Sequence, residues 1–243
     1  MDWTKAKTIL IIALLVANIF LIVTYGISRV EPQRSPEERQ ADTISLLEKR
    51  NIFIQAHIPE DKGRMPVLTV EYDSLDQRLL LRQMQRQIRL PAGEDTDEAV
   101  LKKVQQLLMD CGIWNDNVVF DKIMREGDRA MIYYKNLVEG ILLEDSYIAC
   151  TFEGGRVTSL SRYWLKPVKF GSAKQETIPA TVALLHFMSK NKKEDLVYIE
   201  KMEMVYWLDS ASIDTDSPIL DTARPAWKIT YNSGKVVHID AYE

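Results

Sequence analysis

Apolar positions form one unbroken run near the start of the chain, and everything after it alternates between helix-like and strand-like spacing. Thr8 to Ile27 (TILIIALLVANIFLIVTYGI) carries no charge, and thirteen of its twenty positions are Ile, Leu, Val or Phe. As a helix the run is ~30 Å long at ~1.5 Å per residue, the thickness of a bilayer's hydrocarbon core. Thirteen such residues at ~0.3–0.6 kcal/mol each favour insertion by roughly 4–8 kcal/mol, which outweighs the polar Asn18. The pattern predicts a transmembrane helix over 8–27, a cytosolic stub of residues 1–7 and a juxtamembrane linker over 28–34. Lys5, Lys7 and the terminal amine face Arg29 and Arg34 across the run, so the charge bias is small. A leading apolar segment with a short basic flank behaves as a signal anchor, which places the C-terminal part outside the cell. A cleaved signal peptide is the rival. The run exceeds the ~7–15 residues of a signal core, and Thr24 to Arg29 offers no small-x-small cleavage site.

Past the linker, Ser35-Pro36-Glu37-Glu38 marks a helix start, with Ser35 as N-cap and Glu38 closing a capping box. This helix extends to about Arg50 with Ile44 and Leu47 inward, and Asn51 stops it. Ile52, Ile54 and Ala56 alternate like a strand, as do residues 67–72. Leu75 to Arg89 reads as helix until Pro91-Ala92-Gly93. Asp95 caps the next helix, with Glu98 three residues on and Val100, Val104, Leu107, Leu108 and Cys111 as its apolar stripe. Gly112 ends it as a left-handed cap residue. Ala130, Ile132 and Tyr134 then alternate, as do Ile148, Cys150 and Phe152. Gly154-Gly155 turns the latter strand into residues 156–166 as a hairpin. Thr177-Ile178-Pro179 opens a helix with Ile178, Val182, Leu185 and Met188 inward. Residues 198–208 are strand-like. An Asp-rich loop over 209–224 leads to a strand through Trp227, Ile229 and Tyr231, then a turn at Asn232-Ser233-Gly234 and a last strand through Val237, Ile239 and Ala241. This order implies an α+β fold of antiparallel sheets with helices packed on one face. The expected division is a smaller α+β domain over 35–112 and a C-terminal α+β domain over 113–243.

The chain carries a net charge of −4; Asp2, Lys5 and Lys7 give residues 1–27 a charge of +1, so the remainder is −4 − 1 = −5. An acidic exported part argues against a nucleic-acid partner, and no basic stripe stands out. Cys111 and Cys150 could form one disulfide outside the cell. Each also continues an apolar stripe and reads as a small buried hydrophobe.

His57, His186 and His238 lie outside any metal-binding or catalytic spacing. His186 sits between apolar residues, and His238 alternates outward from Val237 and Ile239. There is no nucleophile elbow and no Walker or dinucleotide motif. Ser189-Lys190-Asn191-Lys192 fits S-x-x-K without its partner motifs, at a helix end where lysines complement the dipole. Asp214 and Asp216 lack the glycine bend and closing Glu of a calcium loop. No catalytic residue, metal site or cofactor is expected. Trp114, Tyr133, Tyr134, Tyr147, Tyr163, Trp164, Tyr206, Trp207 and Trp227 fall largely in strands and read as packing, with exposed members able to mark a protein-binding face.

One constellation with a specific reading lies in the apolar run. Ala13 and Ala17 form a small-x-x-x-small pair that permits close helix approach. Asn18 lies beside that face and Tyr25 two turns along. An amide in mid-membrane seeks a partner helix, or bonds its own backbone instead.

The chain resembles the YycI branch of the YycH/YycI family, membrane-anchored accessory regulators of the WalK (YycG) sensor histidine kinase. The resemblance begins at Met1-Asp2-Trp3 and runs through Lys7 into Ile9-Leu10-Ile11-Ile12 and Asn18-Ile19-Phe20-Leu21. It resumes at Leu47-Glu48-Lys49-Arg50-Asn51-Ile52. In the C-terminal half it follows Tyr134, Gly154-Gly155-Arg156-Val157, Arg162-Tyr163-Trp164, Ala183, Pro225-Ala226-Trp227 and Ile239-Asp240-Ala241. Leu79 to Arg89 departs from the family pattern. The resemblance implies a single-pass, non-enzymatic regulator in the cell membrane, with a cytoplasmic N-terminus and an extracellular α+β part. Its implied partners are the sensor histidine kinase and a YycH-like sister protein, in cell-wall homeostasis. The alternative is an anchored extracytoplasmic binding module, a cell-wall adaptor or protease-inhibitor-like domain, that uses the helix only as a tether.

Overall fold

The computed structural model describes residues 13–21, 35–87, 89–91, 93, 96–191, 196–208 and 220–242. The chain forms two compact units, residues 1–45 and residues 46–243.

In the first unit, residues 13–21 are helical. Among the described residues no helix is long and apolar enough to cross a membrane. Of the expected span 8–27, positions 8–12 and 22–27 lie outside the described residues. Helix α1 (Pro36–Glu48) starts as its sequence dictates. The Glu38 N–H donates to Ser35 Oγ and the Ser35 N–H to Glu38 Oε2, both at 3.1 Å, a closed capping box. Asn51, in the left-handed region at φ 59°, ends the run.

The second unit is mixed α+β and rich in sheet. Its strands are β1 (Ile52–Ile54), β2 (Arg64–Tyr72), β3 (Val118–Glu126), β4 (Arg129–Val138), β5 (Ile141–Glu153), β6 (Arg156–Tyr163), β7 (Leu165–Glu176), β8 (Val197–Trp207), β9 (Leu220–Tyr231) and β10 (Lys235–Asp240). They join in one sheet ordered β3-β4-β5-β8-β9-β2-β7, with β1 on β8, β10 on β9 and β6 on β5. Most pairs are antiparallel; β1 with β8 and the start of β5 with β8 are parallel. Strands β1 and β2 therefore pair with strands more than ninety positions downstream, and the division expected at 112/113 falls inside this unit.

Helices α2 (Gln77–Arg86), α3 (Asp97–Asp110) and α4 (Ala180–Lys190) complete the unit. Thr96, not Asp95, caps α3: its extended backbone lets Oγ1 accept from the Ala99 N–H at 3.3 Å. The helix closes with a Schellman motif, Ile113 N–H to Leu108 O at 3.0 Å and Gly112 N–H to Met109 O at 2.9 Å, around Gly112 at φ 69°. Helix α4 begins after Pro179, and the distant Asp61 Oδ1 accepts from the Ala180 N–H at 2.9 Å. Its inward face is Ala180, Ala183, Leu184 and Phe187. Of the expected stripe Ile178 is buried, whereas Val182, Leu185 and Met188 are only half-buried, because the helix approaches the sheet through its two small alanines.

Two apolar clusters result. In one, Leu80 of α2 and Val100, Val104, Leu107 and Leu108 of α3 cover Ala130, Ile132, Ile148, Phe152 and Val157. In the other, Leu47 and the inward face of α4 cover Leu68, Ile199, Trp227, Ile229 and Ile239. They meet on β4, whose alternate residues from Ala130 to Val138 are all buried. Between them lies Asn136, whose Nδ2 donates to Leu165 O at 2.8 Å. Ser146 Oγ beside it accepts from the Leu165 N–H at 3.1 Å.

The β5–β6 turn uses Gly154-Gly155 as the sequence predicts. Gly155 sits at φ 76° against a second chain segment: a Cβ there would lie 2.5 Å from the Leu90 carbonyl oxygen. The Leu90 N–H donates to Gly155 O at 2.7 Å. Next along β6, Gln87 brackets one residue with its amide. Its Nε2 donates to Val157 O at 3.1 Å, and its Oε1 accepts from the Val157 N–H at 2.9 Å.

Candidate functional site

The corner where β2, β6 and β7 meet brings three tyrosines to the surface. Tyr147 and Tyr163 are cross-strand partners on β5 and β6, and Tyr72 closes β2. The Tyr72 and Tyr163 rings lie 5.3 Å apart, and the Tyr163 and Tyr147 rings 6.4 Å apart. Tyr72 is 50%, Tyr163 40% and Tyr147 37% exposed, so the ladder is open to a partner rather than packed inside. Leu220, opposite Glu71 on β9, is also exposed.

A charged clasp beneath the ladder fixes it. Arg162, with a side chain only 4% exposed, donates through Nη2 to Asp73 Oδ2 and through Nη1 to the Asp73 main-chain oxygen at 2.8 Å. Lys166 Nζ lies 2.6 Å from Asp73 Oδ1. The Asp73 N–H bonds Trp164 O at 2.8 Å, and the Arg162 guanidinium lies over the Trp164 ring. Burial would raise the Asp73 carboxyl, but hydrogen bonds and charge from Lys166 and Arg162 outweigh it and hold the group below its ordinary value. Burial, aided by the carboxylates of Asp145 and Asp221, pushes the Tyr163 phenol up. Tyr163 thus presents a neutral, donor-capable hydroxyl near the Asp145 and Asp221 carboxylates.

A second polar cluster lies where β5, β8, β9 and β10 converge. Lys228 Nζ bonds both carboxylate oxygens of Glu144, at 2.8 and 2.9 Å. Lys135 Nζ donates to the Glu144 main-chain oxygen at 2.6 Å. His238 stacks on Trp207 with ring centroids 5.0 Å apart, and its Nε2 stands 4.0 Å from Glu144 without a hydrogen bond. His238 alternates away from the core that Val237 and Ile239 join, as the sequence predicts, and the Trp207 ring half-buries it there. Burial, with Lys228 and Lys135 nearby, depresses its pKa against the pull of Glu144. Among the described residues no hydroxyl or thiol hydrogen-bonds to His238 Nε2.

Three sequence-predicted contact residues of the apolar run are described: Ala13, Ala17 and Asn18 sit on the exposed helical segment 13–21. The Asn18 Nδ2 donates to Leu14 O at 2.9 Å, one turn back on its own helix. Tyr25 lies outside the described residues, as do Asp214, Asp216 and Lys192. His57 and His186 are exposed, and the Ser189 Oγ donates to the His186 carbonyl. Among the described residues no group of three His, Cys, Asp or Glu could hold a metal ion. Cys111 and Cys150 are free, buried and members of one apolar cluster. Burial pushes the Cys150 thiol up to about 12.

No family model matches the sequence, and no curated protein matches it. Solved structures similar to it include the Bacillus megaterium YpeB C-terminal domain, 9% identical with a TM-score of 0.39 over 65% of this chain. The similarity spans 65% of that chain's length.

Proposed function

We propose that this chain is a non-enzymatic, single-pass membrane protein whose exported α+β unit binds another membrane-anchored protein and thereby regulates it. The regulated protein is a two-component sensor histidine kinase of the WalK (YycG) type, with a YycH-like sister protein in the same assembly. The chain is then a YycI-branch regulator with its N-terminus in the cytoplasm. Support comes from the charge-free span over 8–27 and from the ordered resemblance along the sequence. The observation that carries the reading is the tyrosine ladder of Tyr72, Tyr163 and Tyr147, since exposed, rigidly clasped aromatics are what protein interfaces concentrate. Coupling of about 1–3 kcal/mol between docking and kinase conformation is enough for control.

The test is co-purification of kinase and sister protein with the full chain from membranes in mild detergent. Tyr72→Ser with Tyr163→Ser should lower recovery of a partner at least tenfold, and Asn18→Leu should weaken recovery of the kinase. Unchanged recovery and unchanged kinase output in both variants would remove the basis for the proposal. The tether reading is favoured by one observation, the Asn18 amide bonded to its own helix. Replacing residues 8–27 with an unrelated anchor separates the two, because a tether predicts full function.

A further inference from the structure

We propose that the outer face of α2 is a lipid-docking surface that holds the exported unit against an anionic bilayer. The inference rests on the anchoring reading above, since it needs the chain at a membrane. Leu80 of α2 is buried and Leu79 and Met84 are half-buried, whereas Arg78, Leu81, Arg82, Gln85 and Arg86 are exposed. The three arginines recur every fourth residue, which aligns them on one side of the helix along ~12 Å of its axis. Exposed Arg89 lies three residues beyond the helix end.

Helix α2 contains no acidic residue, and the Asp76 carboxylate at its start accepts from the Arg78 and Leu79 N–H groups. Among the described residues none of these four arginines makes an ion pair, whereas Arg125, Arg162 and Arg224 each do. Leu81, flanking the arginine row one turn on from Arg78, is 58% exposed. Cations and a large apolar side chain on one outward face suit a headgroup–acyl boundary better than a purely acidic protein surface, which would leave the leucine without a partner. The remainder of the chain beyond residue 27 has a net charge of −5, from the count above. An anionic bilayer therefore repels the unit as a whole and attracts this face, which fixes the side turned to the lipid. The span over 8–27 keeps the unit at high local concentration near that surface, so weak docking suffices.

The test uses the full chain in lipid nanodiscs with Gln85→Cys carrying an environment-sensitive fluorophore; Cys111 and Cys150 are buried and stay unlabelled. The probe should shift to the blue and meet lipid-borne quenchers when phosphatidylglycerol is present, and not in phosphatidylcholine alone. About 0.5 M salt should reverse the shift. Arg78→Gln, Arg82→Gln and Arg86→Gln together should lower the docked-to-undocked ratio about a hundredfold, roughly fivefold per arginine. The triple Lys variant should retain docking. Identical emission in the two lipids, a shift that survives in the triple Gln variant, or a probe shielded only when an acidic protein is added would each overturn the proposal. Anchoring is read separately, as salt-resistant recovery with neutral nanodiscs. Its loss would sink the anchoring reading, while emission with phosphatidylglycerol vesicles still decides the arginine face.

Discussion

Asp73→Asn removes the negative centre of the clasp under the tyrosine ladder. It deletes a charge-assisted hydrogen bond to a guanidinium that is 4% exposed, a loss of about 1.5–3 kcal/mol. It also deletes the contact with Lys166, whose side chain is 52% exposed, a further ~0–1 kcal/mol. The sum is about 1.5–4 kcal/mol. The Arg162 bond to the Asp73 main-chain oxygen at 2.8 Å survives the change, so the cost falls at or below the lower end of the ~3–5 kcal/mol of a fully broken buried pair. With a urea slope of about 3 kcal/mol/M, the unfolding midpoint should fall by about 1 M. Tryptophan emission of the full chain in mild detergent follows the transition, since Trp164 lies under Arg162.

The pH dependence has a definite sign. Because the folded Asp73 carboxyl titrates below its ordinary value, its stabilisation is complete above the unfolded value near ~3.9 and is lost as pH falls through the folded one. The gap between wild type and variant should therefore be constant from neutral to mildly acidic pH and narrow below about 4. An unchanged midpoint at neutral pH, or a gap that widens on acidification, would refute the clasp.

Three further outcomes are expected. Gly155→Ala should lower the melting temperature more than Gly154→Ala: both positions have positive φ, but only at Gly155 would the new Cβ meet the Leu90 backbone. Asp61→Ala should cost about 0.5–2 kcal/mol in chemical unfolding, because the first N–H of α4 loses its carboxylate acceptor; a smaller effect would mean that water replaces it. Native protein at pH 8 should show no thiol reactive toward a small disulfide reagent and two after denaturation, since both cysteines are free and buried.

Local signals in the sequence translated directly. Ser35 with Glu38, Gly112, Gly154-Gly155 and the turn at Asn232 to Gly234 punctuate the chain where hydrogen bonding and φ demand them. The apolar stripe of α3 is buried from Val100 to Cys111 as its spacing predicts. Long-range pairing was not legible. Periodicity marks β1 and β2 as strands but carries nothing about their partners on β7, β8 and β9. Strand β7 escaped notice because most of it is exposed and lacks alternation. The tyrosine ladder needs the register of β5 with β6 and the bend at Trp164 before three scattered tyrosines become one surface. The basic face of α2 was hidden by a net charge that sums over the chain, although the four-residue spacing of Arg78, Arg82 and Arg86 could have revealed it.

The Gln87 side-chain amide offers β6 one N–H and one C=O in a plane, as a peptide group would, while its second N–H donates to Met84 O at 3.2 Å. By bracketing Val157 it completes that stretch of β6 as a neighbouring strand would, without offering any further rung on its outer side. A single side chain thus ends the ladder there, so that another molecule's backbone cannot zip onto that position and turn a soluble surface into a seed for fibre growth.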